Sequence, residues 1–204
     1  DYGQYSSIAI YDDTTNVHAY VSYYDATNGY LRFTTANDGD WTAPGWSFVT
    51  VDSTADVGKY SSITTDSATG ARIYISYYDD TTGDLKFAMS TNSGATFPGG
   101  SIIDVDTSAD VGMYSSIATN AAGSEIYISY FDNVNMDLKY AESTDSGATF
   151  PGGSIVTIND LNVVGSFSAI AVDSSGDLYI SYFNDTDTTL NLSISNDGGA
   201  SWDQ

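Results

Sequence analysis

The segment SGATFPGGSI occurs twice in the chain, as Ser93–Ile102 and again as Ser146–Ile155. It is one part of a longer unit that recurs four times, each copy carrying a Tyr/Phe-Ser-Ser/Ala-Ile segment. These segments begin at Tyr5, Tyr60, Tyr114 and Phe167. Successive units therefore start 55, 54 and 53 residues apart. Repeats of this length are typical of solenoids and propellers, in which a unit buries its apolar faces only against its neighbours.

The second unit contains four runs with strand character. They are Tyr60–Thr65, Arg72–Asp79, Leu85–Ser90 and Ser101–Val105. Arg72–Asp79 alternates with period two, and the Asp80–Gly83 segment that follows has the composition of a hairpin turn. Four antiparallel strands per unit, joined by short turns, describe the blade of a β-propeller, whereas a β-sandwich would not account for four near-copies. We predict an all-β propeller of four repeated four-stranded blades, each of about 54 residues.

The repeats indicate one domain over residues 1–204, with blades at 1–55, 56–109, 110–162 and 163–204. The last blade has no counterpart of Ser101–Val105, because Gln204 follows soon after its third strand. A closed ring of four blades and part of a larger ring are both compatible with this pattern. Exposed strand edges attract other strands. We therefore expect another copy or a longer polypeptide to cover this edge.

The net charge of the chain limits the classes of molecule that it can bind. The chain of 204 residues has 27 acidic and five basic residues, for a net charge of −22. Such a field repels nucleic acid and anionic lipid, and no apolar run reaches the ~20 residues of a membrane span. The absence of cysteine excludes disulfides and thiolate metal sites. A start at Asp1 without a signal-like segment is typical of a processed product, so we expect an extracellular or cell-surface location.

Three segments resemble the Asp-box, or BNR, repeat of the sialidase-like β-propeller superfamily, Ser-x-Asp-x-Gly-x-Thr/Ser-Trp/Phe. They are Ser90–Phe97, Ser143–Phe150 and Ser195–Trp202, and the first unit has a degenerate form, Thr35–Trp41. The resemblance implies a propeller fold in which each box joins the third and fourth strands, on the face opposite the active site. We expect a folding role, because Asx side chains and glycine stabilise tight turns. The residues given this role are Asn92, Gly94, Phe97, Asp145, Gly147, Phe150, Asp197, Gly199 and Trp202.

Sialidase chemistry is not expected. The resemblance would require three arginines, a Tyr nucleophile paired with Glu, and an acid/base Asp, but the chain has only Arg32 and Arg72. Its two glutamates, Glu125 and Glu142, lie in different strands of one unit. The single histidine, His18, excludes a His-based triad or zinc site. We therefore predict no catalytic residue.

The predicted binding face collects the loops between blades and the hairpins between second and third strands. Aromatic rings there could stack on sugars and carboxylates could accept hydrogen bonds from sugar hydroxyls, although turn formation and packing explain the same residues. The candidates are Tyr24, Asp25, Asp56, Tyr60, Tyr78, Asp79, Asp110, Tyr114, Phe131 and Asp132. Calcium, which takes six to eight oxygen ligands, is the one cofactor considered. Its candidate ligands are Asp79, Asp80, Asp84, Asp132 and Asp137.

These observations favour a non-enzymatic extracellular propeller that acts as a binding, adhesion or assembly module, with strand complementation at the incomplete last blade. Its expected partners are other copies, surface proteins or glycans. The alternative is a lectin-like propeller with one weak site per blade. A glycoside hydrolase ranks third.

Overall fold

The structure is a computed structural model that describes residues 1–37, 46–161 and 163–204. These residues form four antiparallel sheets whose strands follow one another in chain order. Sheet 1 contains β1 (Tyr2–Asp12), β2 (Val17–Asp25), β3 (Tyr30–Asn37) and β4 (Ser47–Asp52). Sheet 2 contains β5 (Val57–Thr65), β6 (Ile73–Asp79), β7 (Asp84–Ser90) and β8 (Ile102–Asp106). Sheet 3 contains β9 (Val111–Thr119), β10 (Ile126–Asp132), β11 (Asp137–Ser143) and β12 (Ile155–Asn159). Sheet 4 contains β13 (Val164–Val172), β14 (Leu178–Asn184) and β15 (Thr189–Ser195).

The all-β class and the repeated sheets confirm the coarse prediction. Sheet 4 has three strands, with Asp203 forming an isolated bridge to Ile194. Short 3-10 turns at Gly99–Ser101 and Gly152–Ser154 precede β8 and β12. Among the described residues, no helix is both long and apolar enough to cross a bilayer.

The first strand of each unit begins earlier than predicted. β5 starts at Val57 rather than Tyr60, because Val57 already pairs with Asp79 of β6; the strand continues through Tyr60, where φ is 54° and the register with β6 shifts. The fourth strand, in contrast, starts one residue later than predicted, because Ser101 belongs to the 3-10 turn before β8. The degenerate segment Thr35–Trp41 lies largely outside the described residues.

Neighbouring sheets pack face to face. Leu31 and Phe33 of sheet 1 share a buried cluster with Ile75 and Tyr77 of sheet 2. Equivalent clusters join sheets 2 and 3, and sheets 3 and 4. Every residue of β6 is buried, because a middle sheet is covered on both faces. The alternation in its sequence therefore separates two interfaces rather than a core face from a solvent face.

Hydrogen bonds between sheets explain the repeated Tyr-Ser-Ser-Ile segment. The hydroxyl oxygens of Ser22 and Ser61 lie 3.0 Å apart, and Ser61 donates to the backbone oxygen of Tyr5 at 2.9 Å. The second serine of the preceding segment, Ser7, accepts from the N–H of Ile63 at 3.2 Å. The same bonds recur between sheets 2 and 3, and between sheets 3 and 4. The segment is thus a device for joining sheets.

A glycine follows the first residue of β5, β9 and β13, where the backbones of adjacent sheets meet. At Gly112 φ is 107°, and a Cβ would lie 2.8 Å from the Cα of Leu85 in β7. Gly58 and Gly165 have the same conformation and the same close approach. Only glycine fits both conditions.

Candidate functional site

An arc of aromatic rings occupies the face predicted to bind a ligand. Tyr5, Tyr60, Tyr114 and Phe167 follow one another with ring centroids 4.7, 4.8 and 4.5 Å apart. They line a shallow cavity of about 220 Å³ together with one serine from each sheet. Tyr24, Tyr78 and Phe131 lie next to the arc but are buried. Of the predicted aromatic residues, Tyr60 and Tyr114 therefore remain accessible.

Most predicted acids on this face are engaged by the protein itself. Asp79 accepts hydrogen bonds from the N–H groups of Thr81 and Thr82 in its own hairpin, at 2.9 and 3.2 Å. Asp25 and Asp132 do the same in sheets 1 and 3.

Two further acids join one sheet to the next through tyrosines. Asp110 accepts from the Tyr78 hydroxyl at 2.5 Å, and Asp56 accepts from Tyr24. Burial and the Asp56 hydrogen bond raise the pKa of Tyr24 to about 12. Ligand binding on this face stays a prediction.

The five aspartates proposed for calcium are not brought together. They divide between the hairpins of sheets 2 and 3, and Asp80 forms an ion pair with Lys59 at 2.6 Å. Within the described residues, no group of three or more His, Asp or Glu side chains has an arrangement that could hold a metal ion.

The three segments resembling Asp-boxes form the same hydrogen-bonded turn. In the second of them, Ser143 donates to Asp145 at 2.7 Å and accepts from the N–H of Gly147 at 2.9 Å. Hydrogen bonds from Thr149 lower the pKa of Asp145 to about 2. The same turn forms around Asn92 with Gly94, and around Asp197 with Gly199.

The aromatic residue of each turn packs against the preceding sheet. Phe97, Phe150 and Trp202 pack on Phe33, Phe87 and Tyr140, with centroids 5.3, 5.1 and 5.2 Å apart. The nine residues assigned to these turns therefore form the turns or pack them against the preceding sheet.

Sheet 3 differs from sheet 2 at three neighbouring positions. Glu125, Tyr140 and Glu142 stand where sheet 2 has Arg72, Phe87 and Met89. The pairing of Tyr127 with Glu142 and of Ser129 with Tyr140 places Tyr140 and Glu142 on the face that packs against sheet 4. Reasoning from the sequence noted both glutamates but assigned them no role. A comparison of the units for their differences, rather than their similarities, would have found the group.

The two glutamates differ in their surroundings. Glu125 Oε2 accepts from the Tyr127 hydroxyl at 2.9 Å and from Asn120 Nδ2 at 2.8 Å. Burial, together with the charge of Glu125, raises the pKa of Glu142. Burial and the charge of Glu142 also raise the pKa of Tyr140. A carboxyl group with a raised pKa is thus influenced by the charge of a second carboxyl group that is fixed by two donors.

Two buried polar atoms of a packed aromatic pair have no hydrogen-bond partner in the described part of the chain: Tyr140 Oη and Trp202 Nε1. Tyr140 is only 1% exposed, and it lines a cavity of about 300 Å³ together with Glu142, Ser154 and Gly199. We call this space the Glu142 cavity. A buried polar group without a partner costs about 1–3 kcal/mol, so such groups need an explanation in each case.

Comparison with known proteins gives no match to a family model and none to a curated protein. Solved structures do match. The catalytic domain of a Coprinopsis cinerea GH62 α-L-arabinofuranosidase is 14% identical with a TM-score of 0.56, over 98% of this chain and 67% of that one. An exo-β-1,3-galactanase from Phanerochaete chrysosporium is 11% identical with a TM-score of 0.58, over 99% of this chain and 49% of that one. A Hadza microbial sialidase is 12% identical with a TM-score of 0.56, over 97% and 44%.

The fold is of the β-propeller type. At these identities the likeness shows the fold alone, and the chain spans about two thirds of the arabinofuranosidase domain and about half of the galactanase. It nevertheless corrects one prediction. A non-enzymatic binding, adhesion or assembly module was expected, whereas these matching propellers are named as enzymes that act on carbohydrates. The missing sialidase residues exclude one catalytic arrangement on this fold, not catalysis.

Proposed function

We propose that this chain hydrolyses glycosidic bonds at the Glu142 cavity, with Glu142 as the general acid and Glu125, which lines a separate cavity with Asn120 and Val172, as the second carboxylate. The observation that carries the proposal is a cavity lined by Glu142 and Tyr140: burial and the charge of Glu125 raise the pKa of Glu142, and the Tyr140 hydroxyl has no partner among the described residues. Similarity of fold to an arabinofuranosidase, a galactanase and a sialidase supports it. An extracellular location, where glycans are abundant, belongs to the same proposal.

Glycoside hydrolysis generally uses two carboxyl groups on opposite sides of the scissile bond. In the proposed reaction Glu142 gives its proton to the leaving oxygen as the bond to the anomeric carbon breaks. Water attacks that carbon, and Glu125 takes the proton that the water loses. The bonds from Tyr127 and Asn120 hold Glu125 in place, while burial keeps a proton on Glu142 at a higher pH than for an exposed glutamate.

The cavity itself points to a neutral sugar. The Tyr140 hydroxyl, in the lining of the cavity, can donate or accept a hydrogen bond, so it can bind a sugar hydroxyl. Its volume of about 300 Å³ suits a ligand with the size of one sugar ring. The net charge of −22 repels acidic sugars.

The test uses the purified chain with a panel of chromogenic neutral pyranosides and furanosides. We expect hydrolysis that falls at least about 100-fold in Glu142→Gln and in Glu125→Gln, the range for loss of a general acid or base. Asp84→Asn, which removes an acid outside this cavity, is the matched control and should keep full activity. Activity that is the same in all four proteins would refute the assignment.

Stability gives a separate readout for Glu142. Because its folded pKa is raised, Glu142 contributes stability below its unfolded pKa, and that contribution is lost as the pH rises through the folded pKa. Glu142→Gln cannot ionise, so it should unfold at a higher temperature than the parent at pH 7 and show a smaller difference at pH 4. A lower Tm for the variant at pH 7 would show that the carboxylate is structural.

A further inference from the structure

Sheet 1 exposes a face that its three repeats bury. This outer face of sheet 1 consists of Ser6, Ile8, Val21, Tyr23, Arg32 and Phe48. Ile8 is 61% exposed, whereas its counterpart in sheet 2, Ile63, is 6% exposed. Most of the face borders an apolar groove of about 570 Å³.

The buried counterparts show what the face binds elsewhere in the chain. Asp52 at the end of β4 accepts from the Tyr77 hydroxyl at 2.7 Å and lies 3.2 Å from Lys86 Nζ of sheet 2. Asp106 at the end of β8 binds Tyr130 and Lys139 of sheet 3 in the same way, at 2.7 and 2.5 Å. Each acid comes from the outermost strand of the preceding sheet.

At the third interface, between sheets 3 and 4, the residues that correspond to the acid and to the lysine are both uncharged. Where sheet 4 has Asn191 in the lysine position, the outermost strand of sheet 3 ends in Asn159 instead of aspartate. Asn159 Nδ2 still binds the tyrosine of this interface, Tyr182, at 3.1 Å. A cation on one sheet is thus matched by a carboxylate on the sheet before it, and a neutral residue by a neutral residue.

Sheet 1 has the cationic form of this face. Tyr23 and Arg32 occupy the positions of Tyr77 and Lys86. Arg32 binds Asp25 of its own sheet at 3.1 Å, as Lys86 is paired with Asp79 at 3.6 Å. Lys86 also pairs with Asp52 of the preceding sheet. In the described part of the chain, Arg32 has no equivalent acid from another sheet.

We propose that the outer face of sheet 1 binds a further β-propeller blade whose outermost strand ends in a carboxylate. The carboxylate would bind Arg32 and Tyr23, and the apolar face of that blade would cover Ile8, Val21 and Phe48.

The experiment supplies such a blade from the chain itself. A copy of Val57–Asp110 is placed before Tyr2, so that the copied Asp110 replaces Asp1. We expect one cooperative unfolding transition, a Tm at least about 5 °C above that of the parent chain, and slower hydrogen exchange in β1 and β2. An added blade that melts separately, without protection of β1 and β2, would refute the proposal.

Two variants of the extended chain test the charge match. Asp106→Ala in the added copy alone should remove most of the gain in Tm. Arg32→Asn combined with Asp106→Asn in the added copy imitates the third interface and should restore it. No effect of Asp106→Ala would show that the carboxylate is not recognised. Dimerisation of the parent chain that Arg32→Glu abolishes would identify a second copy as the occupant, and would also overturn the proposal.

Discussion

Tyr140 differs from its counterparts Phe33 and Phe87 by a single oxygen atom. All three rings lie against a glycine-containing turn or its aromatic residue in the adjoining sheet, so the shape of the site is the same in sheets 1, 2 and 3. Packing alone is satisfied by phenylalanine, as Phe87 shows. The added hydroxyl is buried and has no partner among the residues that the structure describes, and an unpaired buried hydroxyl destabilises a fold.

We therefore expect Tyr140→Phe to raise stability and lower activity. Removal of an unpaired buried hydroxyl should stabilise the chain by about 1–2 kcal/mol, seen as a higher Tm. If the hydroxyl binds substrate, KM for the best chromogenic glycoside should rise about tenfold, which corresponds to one lost hydrogen bond. The reverse change in sheet 2, Phe87→Tyr, is the control and should lower Tm without altering KM. A lower Tm for Tyr140→Phe would show that water or the protein already satisfies the hydroxyl.

Between whole sheets, buried ion pairs connect the outer strand of one sheet to the next. Lys139 is buried with its nitrogen 2.5 Å from Asp106, and Lys86 pairs with Asp52 in the same position one repeat earlier. Hydrogen bonds from Lys139 and Ser108 outweigh burial and lower the pKa of Asp106. The interface between sheets 3 and 4 uses asparagines at both positions, so an uncharged pair also fits this geometry.

A double-mutant cycle at Asp106 and Lys139 tests this equivalence. Asp106→Asn and Lys139→Asn should each cost about 3–5 kcal/mol, because each leaves a buried charge without its partner. The double variant, which copies Asn159 and Asn191, should lose much less than the sum. Urea unfolding of the four proteins at pH 7 measures the cycle. Strict additivity would show that the two residues do not interact.

The same cycle has a signature in acid. A lowered folded pKa means that Asp106 contributes stability above its unfolded pKa of 3.8, and that the contribution is lost as the pH falls through the folded pKa. The parent should therefore lose stability in acid more steeply than the double variant. A parallel loss in both proteins would assign acid sensitivity to other carboxyl groups.

The sequence pattern predicted the strands of each sheet but not how the sheets pack against one another. Period-two alternation and turn residues predicted the four runs of sheet 2 to within a few residues. That β6 is buried on both faces depends on the stacking of whole sheets, which alternation does not encode. The acids of the predicted binding face were visible in the sequence, yet only coordinates show that Asp79 and Asp110 are engaged by Thr81 and Tyr78. The repeat pattern did not predict the Glu142 cavity, because Tyr140 and Glu142 are not shared with the other units.

Across the whole molecule, acidic residues far outnumber their partners. Of the five basic residues, Arg32, Lys59, Lys86 and Lys139 form ion pairs with aspartates, and these pairs engage a minority of the 27 acids. The remaining carboxylates repel one another over distances comparable to the size of a small domain when salt is scarce. This repulsion opposes the compact state.

Screening should therefore stabilise the chain. Raising NaCl from 10 to 200 mM shortens the Debye length from about 30 Å to less than 10 Å, so we expect Tm at pH 7 to rise by several degrees. Choline chloride at the same ionic strength is the control, and it should give the same rise if screening alone is responsible. A larger rise with CaCl2 at matched ionic strength would instead reveal specific calcium binding. A Tm that does not change with any of the three salts would mean that the excess negative charge is too widely spread to affect folding.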